Sequence, residues 1–139
     1  MSRSMHHALL GGVVALLLGG CASGVDRLAG DTPLERYTNY AGTPVDRITA
    51  FDINGWTALS RNRLVLWTGV NDAWLVTVWD SCRDLEFADR IRVARTGASI
   101  SRLDQIIVGG ERCPISEIRP IDVRQMKLDR AAAAEAERK

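Results

Sequence analysis

The side chains of this sequence best equipped for chemistry are carboxylates. Asp80, Asp84, Glu86 and Asp89 gather around Cys82, with Asp104 further along the chain. Two carboxyl groups at the right separation, one with a raised pKa, suffice for glycoside hydrolysis. Arg83, Arg90 and Arg92 interleave with these acids, however, and mixed charge of that kind marks a solvated face more often than a catalytic pair. A carboxylate-based cell-wall hydrolase is therefore the least favoured of three functional readings.

The histidine pattern excludes more. Both histidines, His6 and His7, lie before Cys21. Beyond that point no imidazole can activate a serine or cysteine nucleophile or ligate zinc or iron. No G-x-S-x-G, P-loop, G-x-G-x-x-G or EF-hand pattern occurs. Gly109-Gly110 reads as a hairpin turn rather than a phosphate cradle. The sequence implies no enzyme, no cofactor and no metal.

Four tryptophans, Trp56, Trp67, Trp74 and Trp79, are the other chemically distinctive residues. At alternating strand positions they are core by default, since an indole supplies much buried area. Trp67 and Trp74 flank the Thr68–Ala73 turn and could form a cross-strand pair near the hairpin end. They are the expected binding surface if any tryptophan faces outward.

The elements that must position these residues are mostly strands. "RNRLVLWTG" and "DAWLVTVWD" read as a hairpin whose strands are apolar on both faces, as in a packed sheet or small barrel. "RITAFDI" alternates and runs into Asn54-Gly55, a hairpin signal. "IRVAR" and "DQIIVGG" are further short strands on either side of a turn over Gly97–Ser101, and "CPISEIRPID" is a last extended piece. "RDLEFADR" is a turn or single helical turn. Thr32-Pro33-Leu34-Glu35 forms a capping box for a short helix from Pro33 to about Tyr40. "DRAAAAEAERK" has helix propensity but no apolar face beyond alanine. The expected fold is mainly β, a small antiparallel barrel or roll of five to seven short strands, with α+β as the other class this pattern allows. One short helix precedes it and a fraying helical tail follows. The expected organisation is 1–20 leader, 21–31 tether, 32–124 a single globular domain and 125–139 a solvated tail.

Ala8 to Leu18 is an apolar run broken by Gly11 and Gly12. It is shorter than the about 20 residues of a membrane span and fits a secretory h-region of about 7–15. Leu18-Gly19-Gly20-Cys21 resembles the lipobox of bacterial lipoproteins, in which the cysteine is lipidated and becomes the first residue. Cleavage after Ala22, or an uncleaved anchor, are the competing readings. Two or three acyl chains, as the resemblance implies, would anchor the protein durably, at about 0.8 kcal/mol per buried methylene. Ala22 rather than aspartate after the cysteine favours, by the same resemblance, the outer membrane. With Cys21 set aside, Cys82 and Cys113 remain as a pair in an oxidising compartment, where one disulfide is the expectation. Closing a loop of roughly 32 residues stabilises by about 3.5–4 kcal/mol in the chain-entropy model.

Tyr40 to Asp122 resembles an uncharacterised family of small Gram-negative lipoproteins with a domain of unknown function. The matching pieces are "YAGTPVDRI", Trp56 and Leu59, "AWLVTVWDSC", "LEFADRIRV", the Asp104 strand and "CPISEIRPID". Trp74 stands where tyrosine is expected. The resemblance implies an envelope lipoprotein and no particular activity.

Arg3 is the only charged side chain before Cys21, leaving 17 basic and 17 acidic residues beyond it. That balance offers nothing to nucleic acid. The expected function is thus a non-catalytic module on the periplasmic side of the outer membrane, membrane-bound through its lipid and contacting an envelope protein or cell-wall component. A barrel binding a small apolar ligand is the alternative. Thiol labelling of the unreduced, denatured protein should leave Cys82 and Cys113 unmodified; reaction at either without reductant would disprove the disulfide.

Overall fold

A computed structural model describes residues 32–79 and 82–139. Cys21 and Asp80 lie outside them. Helix α1 (Pro33–Asn39) begins at the capping box expected from the sequence. The Glu35 N–H donates to Thr32 Oγ1 at 3.3 Å, and the Thr32 N–H donates to Glu35 Oε2 at 2.8 Å. The Thr32 N–H and the Thr32 hydroxyl, which also donates to Glu35 Oε2 at 2.8 Å, hold the Glu35 carboxyl below its ordinary pKa.

Eight strands follow: β1 (Arg47–Thr49), β2 (Gly55–Ser60), β3 (Arg63–Trp67), β4 (Asp72–Val78), β5 (Arg92–Ala94), β6 (Ser99–Ser101), β7 (Gln105–Val108) and β8 (Glu111–Asp122). A 3₁₀ turn at Leu85–Phe87 lies between β4 and β5, and helix α2 (Val123–Ala136) completes the chain. The fold is mainly β, as expected, with eight strands rather than five to seven because the segments at Arg47 and Ser99 pair as a separate ribbon. Six strands form an antiparallel sheet in the order β2-β3-β4-β8-β7-β5, curved as a half-barrel, and β1 and β6 pair separately.

β8 is the spine. It pairs with β4 from Val78↔Ile115 to Asp72↔Asp122, past a bulge at Thr77–Val78. On its other side it pairs first with β7, from Val108↔Glu111 to Gln105↔Pro114. Further along, the 41–45 arm takes over through bridges Ala41↔Ile121 and Val45↔Ile118. Two prolines in one long strand would ordinarily break its ladder. Pro114 sits by the bulge, and Pro120 offers its carbonyl to the Gly42 N–H at 2.8 Å on the arm side. A side chain at residue 42 would place its Cβ 3.1 Å from the Pro120 ring, so glycine permits that approach.

The double-sided apolar pattern of β3 and β4 is explained by cover on both faces. Leu64, Leu66, Val76, Val78 and Ile118 point inward, where Ile48 and Ile100 of the β1–β6 ribbon and Leu85 of the 3₁₀ turn fill the half-barrel. Val65, Ala73, Leu75 and Ile121 point the other way, toward Tyr37 and Tyr40 at α1 and Val123 and Met126 of α2. Cys82 and Cys113, fully buried in the inner cluster, are joined with Cα atoms 5.5 Å apart. The cross-link fastens the segment before the 3₁₀ turn to β8.

Three sequence expectations are corrected. Asn54-Gly55 is no hairpin turn: β1 pairs with β6, while Asn54 donates its N–H to the Trp67 carbonyl at 2.7 Å and Gly55 begins β2 opposite Trp67. Extended pairing with β3 displaces the left-handed conformation that an Asn-Gly turn needs. The Gly97–Ser101 segment holds strand β6 as well as a turn, its Ile100 fully buried. And α2 begins at Val123, inside the expected domain, with its first turn in the core. Lys127 Nζ donates to Asn71 Oδ1 at 2.8 Å, and the Tyr40 hydroxyl donates to Asp129 Oδ2 at 2.7 Å, so the helix is tied at both neighbouring elements. Gly109-Gly110 does form the expected turn, with φ of 57° and 90°.

The two faces of α2 should respond differently to truncation. Met126→Ala, at a 5% exposed position, should cost about 2–5 kcal/mol in denaturant unfolding. Leu128→Ala, at a 64% exposed position, should stay within about 0.5 kcal/mol. Equal effects would contradict the docking of the first turn.

Candidate functional site

Strand parity decides where the tryptophans go. Trp56 and Trp74 both oppose Leu66, from β2 and β4, and pack on the inner cluster. The Trp74 indole N–H donates to Thr68 Oγ1 at 2.9 Å, so its polar edge is satisfied. Trp67 opposes Ala73 and lies on the helix-covered face, its ring edge-on to Tyr37 at 6.3 Å. Trp67 and Trp74 are thus one register step apart and on opposite faces of the sheet. The expected cross-strand pair does not exist, because an offset of one residue reverses the face.

Trp79 behaves differently. It stands just past the end of β4, held by its backbone N–H donating to the Pro114 carbonyl at 3.0 Å, and is 64% exposed. It forms one wall of a cleft of about 550 Å³. The cleft lies where β8 changes partners: β7 stops pairing at Pro114 and the arm begins at Ile118, leaving Ile115 and Ser116 between them at its base. The turn from β6 to β7 supplies Leu103, 90% exposed, together with Arg102. Asp46 and Arg47, entering β1, close the opposite side.

Local bonds hold this arrangement. The Ser101 N–H and hydroxyl donate to Asp104 Oδ2 at 2.7 and 3.0 Å, tightening the β6–β7 turn. The Ile115 N–H donates to the Asp104 carbonyl at 3.0 Å and pins that turn to β8. Arg102 Nη2 bridges to Asp46 Oδ1 at 2.5 Å. The Ser116 hydroxyl donates to the Thr77 carbonyl at 3.1 Å, in the bulge. The result is an apolar surface with a cationic rim.

Of the carboxylates that opened the sequence reading, Asp80 lies outside the described residues and the others fall in separate places along the chain's turns. Asp104 is spent within its own turn. Asp84 and Asp89 line a second cavity of about 530 Å³ around Phe87, sharing it with Arg90, while Glu86 is exposed. The Glu111 carboxylate comes within 4.8 Å of both cysteine sulfurs, but the two sulfurs are bonded to each other and are not free thiolate ligands.

Residues 4–137 match the model of a family of unknown function, DUF6491. The chain belongs to that family. No curated protein and no solved structure matches it. In this DUF6491 member nothing local in the sequence marks Asp46, Arg47, Arg102, Leu103 and Ser116 as neighbours in one cleft. The one available signal was Leu103, an isolated apolar residue in the polar stretch "SRLDQ".

N-bromosuccinimide titration under native conditions should oxidise one tryptophan well ahead of the other three. Trp79→Phe should abolish that fast phase, and its survival in the variant would contradict the placement of Trp79.

Proposed function

We propose that this DUF6491 protein is a lipid-anchored module of the outer membrane, held through Cys21 with its folded domain in the periplasm, and that its work is contact rather than catalysis. The observation that carries this reading is the cleft beside Trp79. An exposed indole is an anchor that recognition sites use, and a concave, largely apolar surface beside it is what ligand sites present. The cleft's single lining carboxylate is engaged by Arg102, which leaves no acid–base pair there. The lipobox-like Leu18-Gly19-Gly20-Cys21 and the buried cysteine pair both suit an oxidising envelope compartment. The partner class is an envelope protein or a cell-wall component.

A second reading, binding of a small apolar molecule, is favoured by the cleft's volume of about 550 Å³, inside the range of ligand sites. The ligand would then occupy the flank of the half-barrel, since the described interior is filled by side chains.

One experiment in cells tests the proposal. A photo-crosslinking residue at position 103 should yield a discrete envelope-fraction adduct that is absent when the same residue replaces exposed Leu128. Labelled palmitate should enter the protein and be lost in Cys21→Ala. No adduct at 103, or the same adduct at both positions, would overturn the contact role, and labelling that persists in Cys21→Ala would overturn the anchor.

A further inference from the structure

Resting on the reading of this cleft as the contact surface, we propose that it binds an amphiphile with one anionic head and an apolar tail, of the fatty-acid class. The charges around the cleft select the head. Asp46 and Arg102 neutralise each other across 2.5 Å. Asp104, next along the same turn, is committed to Ser101. What remains is Arg47, exposed and with no ion pair among the described residues. A single guanidinium left uncompensated by the described residues suits a single carboxylate or phosphate and repels a cation.

The apolar groups select the tail. Trp79 and Leu103 are mostly exposed although Ile115, lining the same cleft, is nearly fully buried, so an alkyl chain laid there would remove both from water and extend the inner core outward. The comparison with the second cavity sharpens the choice. Around Phe87, two carboxylates face one arginine, a balance that disfavours an anion. Of the cavities at Trp79 and at Phe87, only the one at Trp79 carries a net positive charge among its described lining residues.

The test uses the chain from residue 21 onward carrying Cys21→Ala, so that neither the apolar leader nor detergent competes. Decanoate and decylammonium, both below micelle-forming concentrations, are titrated calorimetrically. Decanoate should bind saturably at one site, and decylammonium about tenfold more weakly or not at all, because its charge meets Arg47. Arg47→Gln should weaken decanoate roughly 2–5-fold, the scale of one exposed ion pair, and narrow the preference over decylammonium. Leu103→Asp should weaken decanoate by about tenfold or more through lost apolar contact and added like charge, with circular dichroism unchanged because the residue is exposed. Absent saturation, equal affinity for the two amphiphiles, or indifference to Arg47→Gln would overturn the proposal. Phosphatidylglycerol vesicles in place of decanoate identify the source. Decanoate binding without vesicle binding assigns a free fatty acid, and vesicle binding with the same Arg47 dependence assigns a membrane lipid. If decanoate fails while the position-103 adduct still forms in cells, the amphiphile falls and the contact role stands.

Discussion

Everything in this fold hangs on β8 keeping β4 as its neighbour along one edge while changing neighbours along the other. Twelve residues is long for a strand in a small domain. Its length lets one half complete the six-stranded sheet through β7 while the other half receives the 41–45 arm. The exchange requires the bulge at Thr77–Val78, tolerates two prolines, and leaves Ile115 and Ser116 with no strand beside them on that edge. The cleft is the geometric remainder of that exchange. It is a consequence of how the sheet closes, not an insertion decorating it.

The cover on the two faces of the sheet is built from different material. The inner face is sealed by short pieces that could not stand alone: three-residue β1, three-residue β6 and a single 3₁₀ turn. Two long-range fastenings compensate for their lack of local stability. One is the Cys82–Cys113 cross-link. The other is Arg95, whose guanidinium donates to the Ala50 and Phe51 carbonyls and holds the loop after β1. The outer face is sealed by helices that carry their own caps, at Thr32 and at Asp122, whose side chain accepts from the Gln125 N–H at 2.9 Å.

What could be read from the sequence divides along the same line. Local signals were reliable: the Thr32–Glu35 capping box, the β3–β4 hairpin with its alternating Leu64 to Val78 residues, and the Gly109-Gly110 turn each need only neighbours in the chain. Pairings between distant short segments were not. Nothing near Arg47 announces that its strand partner is Ser101, and Asn54-Gly55 lost its turn because Trp67, from another strand, offered a better use for Asn54. The tryptophans show the limit most sharply. Alternation separates Trp67 from Trp74 by parity, but says nothing of which parity is covered, since that depends on helices at both chain ends. Trp79 is exposed because β4 has ended and neither cover reaches it. The cleft needed the same distant information, with Asp46 and Arg102 meeting only after β1 and β6 pair.

The placement of Tyr40 has a mechanical consequence. Its carbonyl accepts from the Asp122 N–H at 2.9 Å, and its hydroxyl reaches Asp129 in α2, so one residue joins the end of α1, the end of β8 and the body of α2. A pull applied from the N-terminal side of Thr32 travels through α1, whose Tyr37 rests on Trp67 of β3, into this knot. The load is then shared between the far end of the longest strand and a docked helix, well along β8 from the Cys113 cross-link.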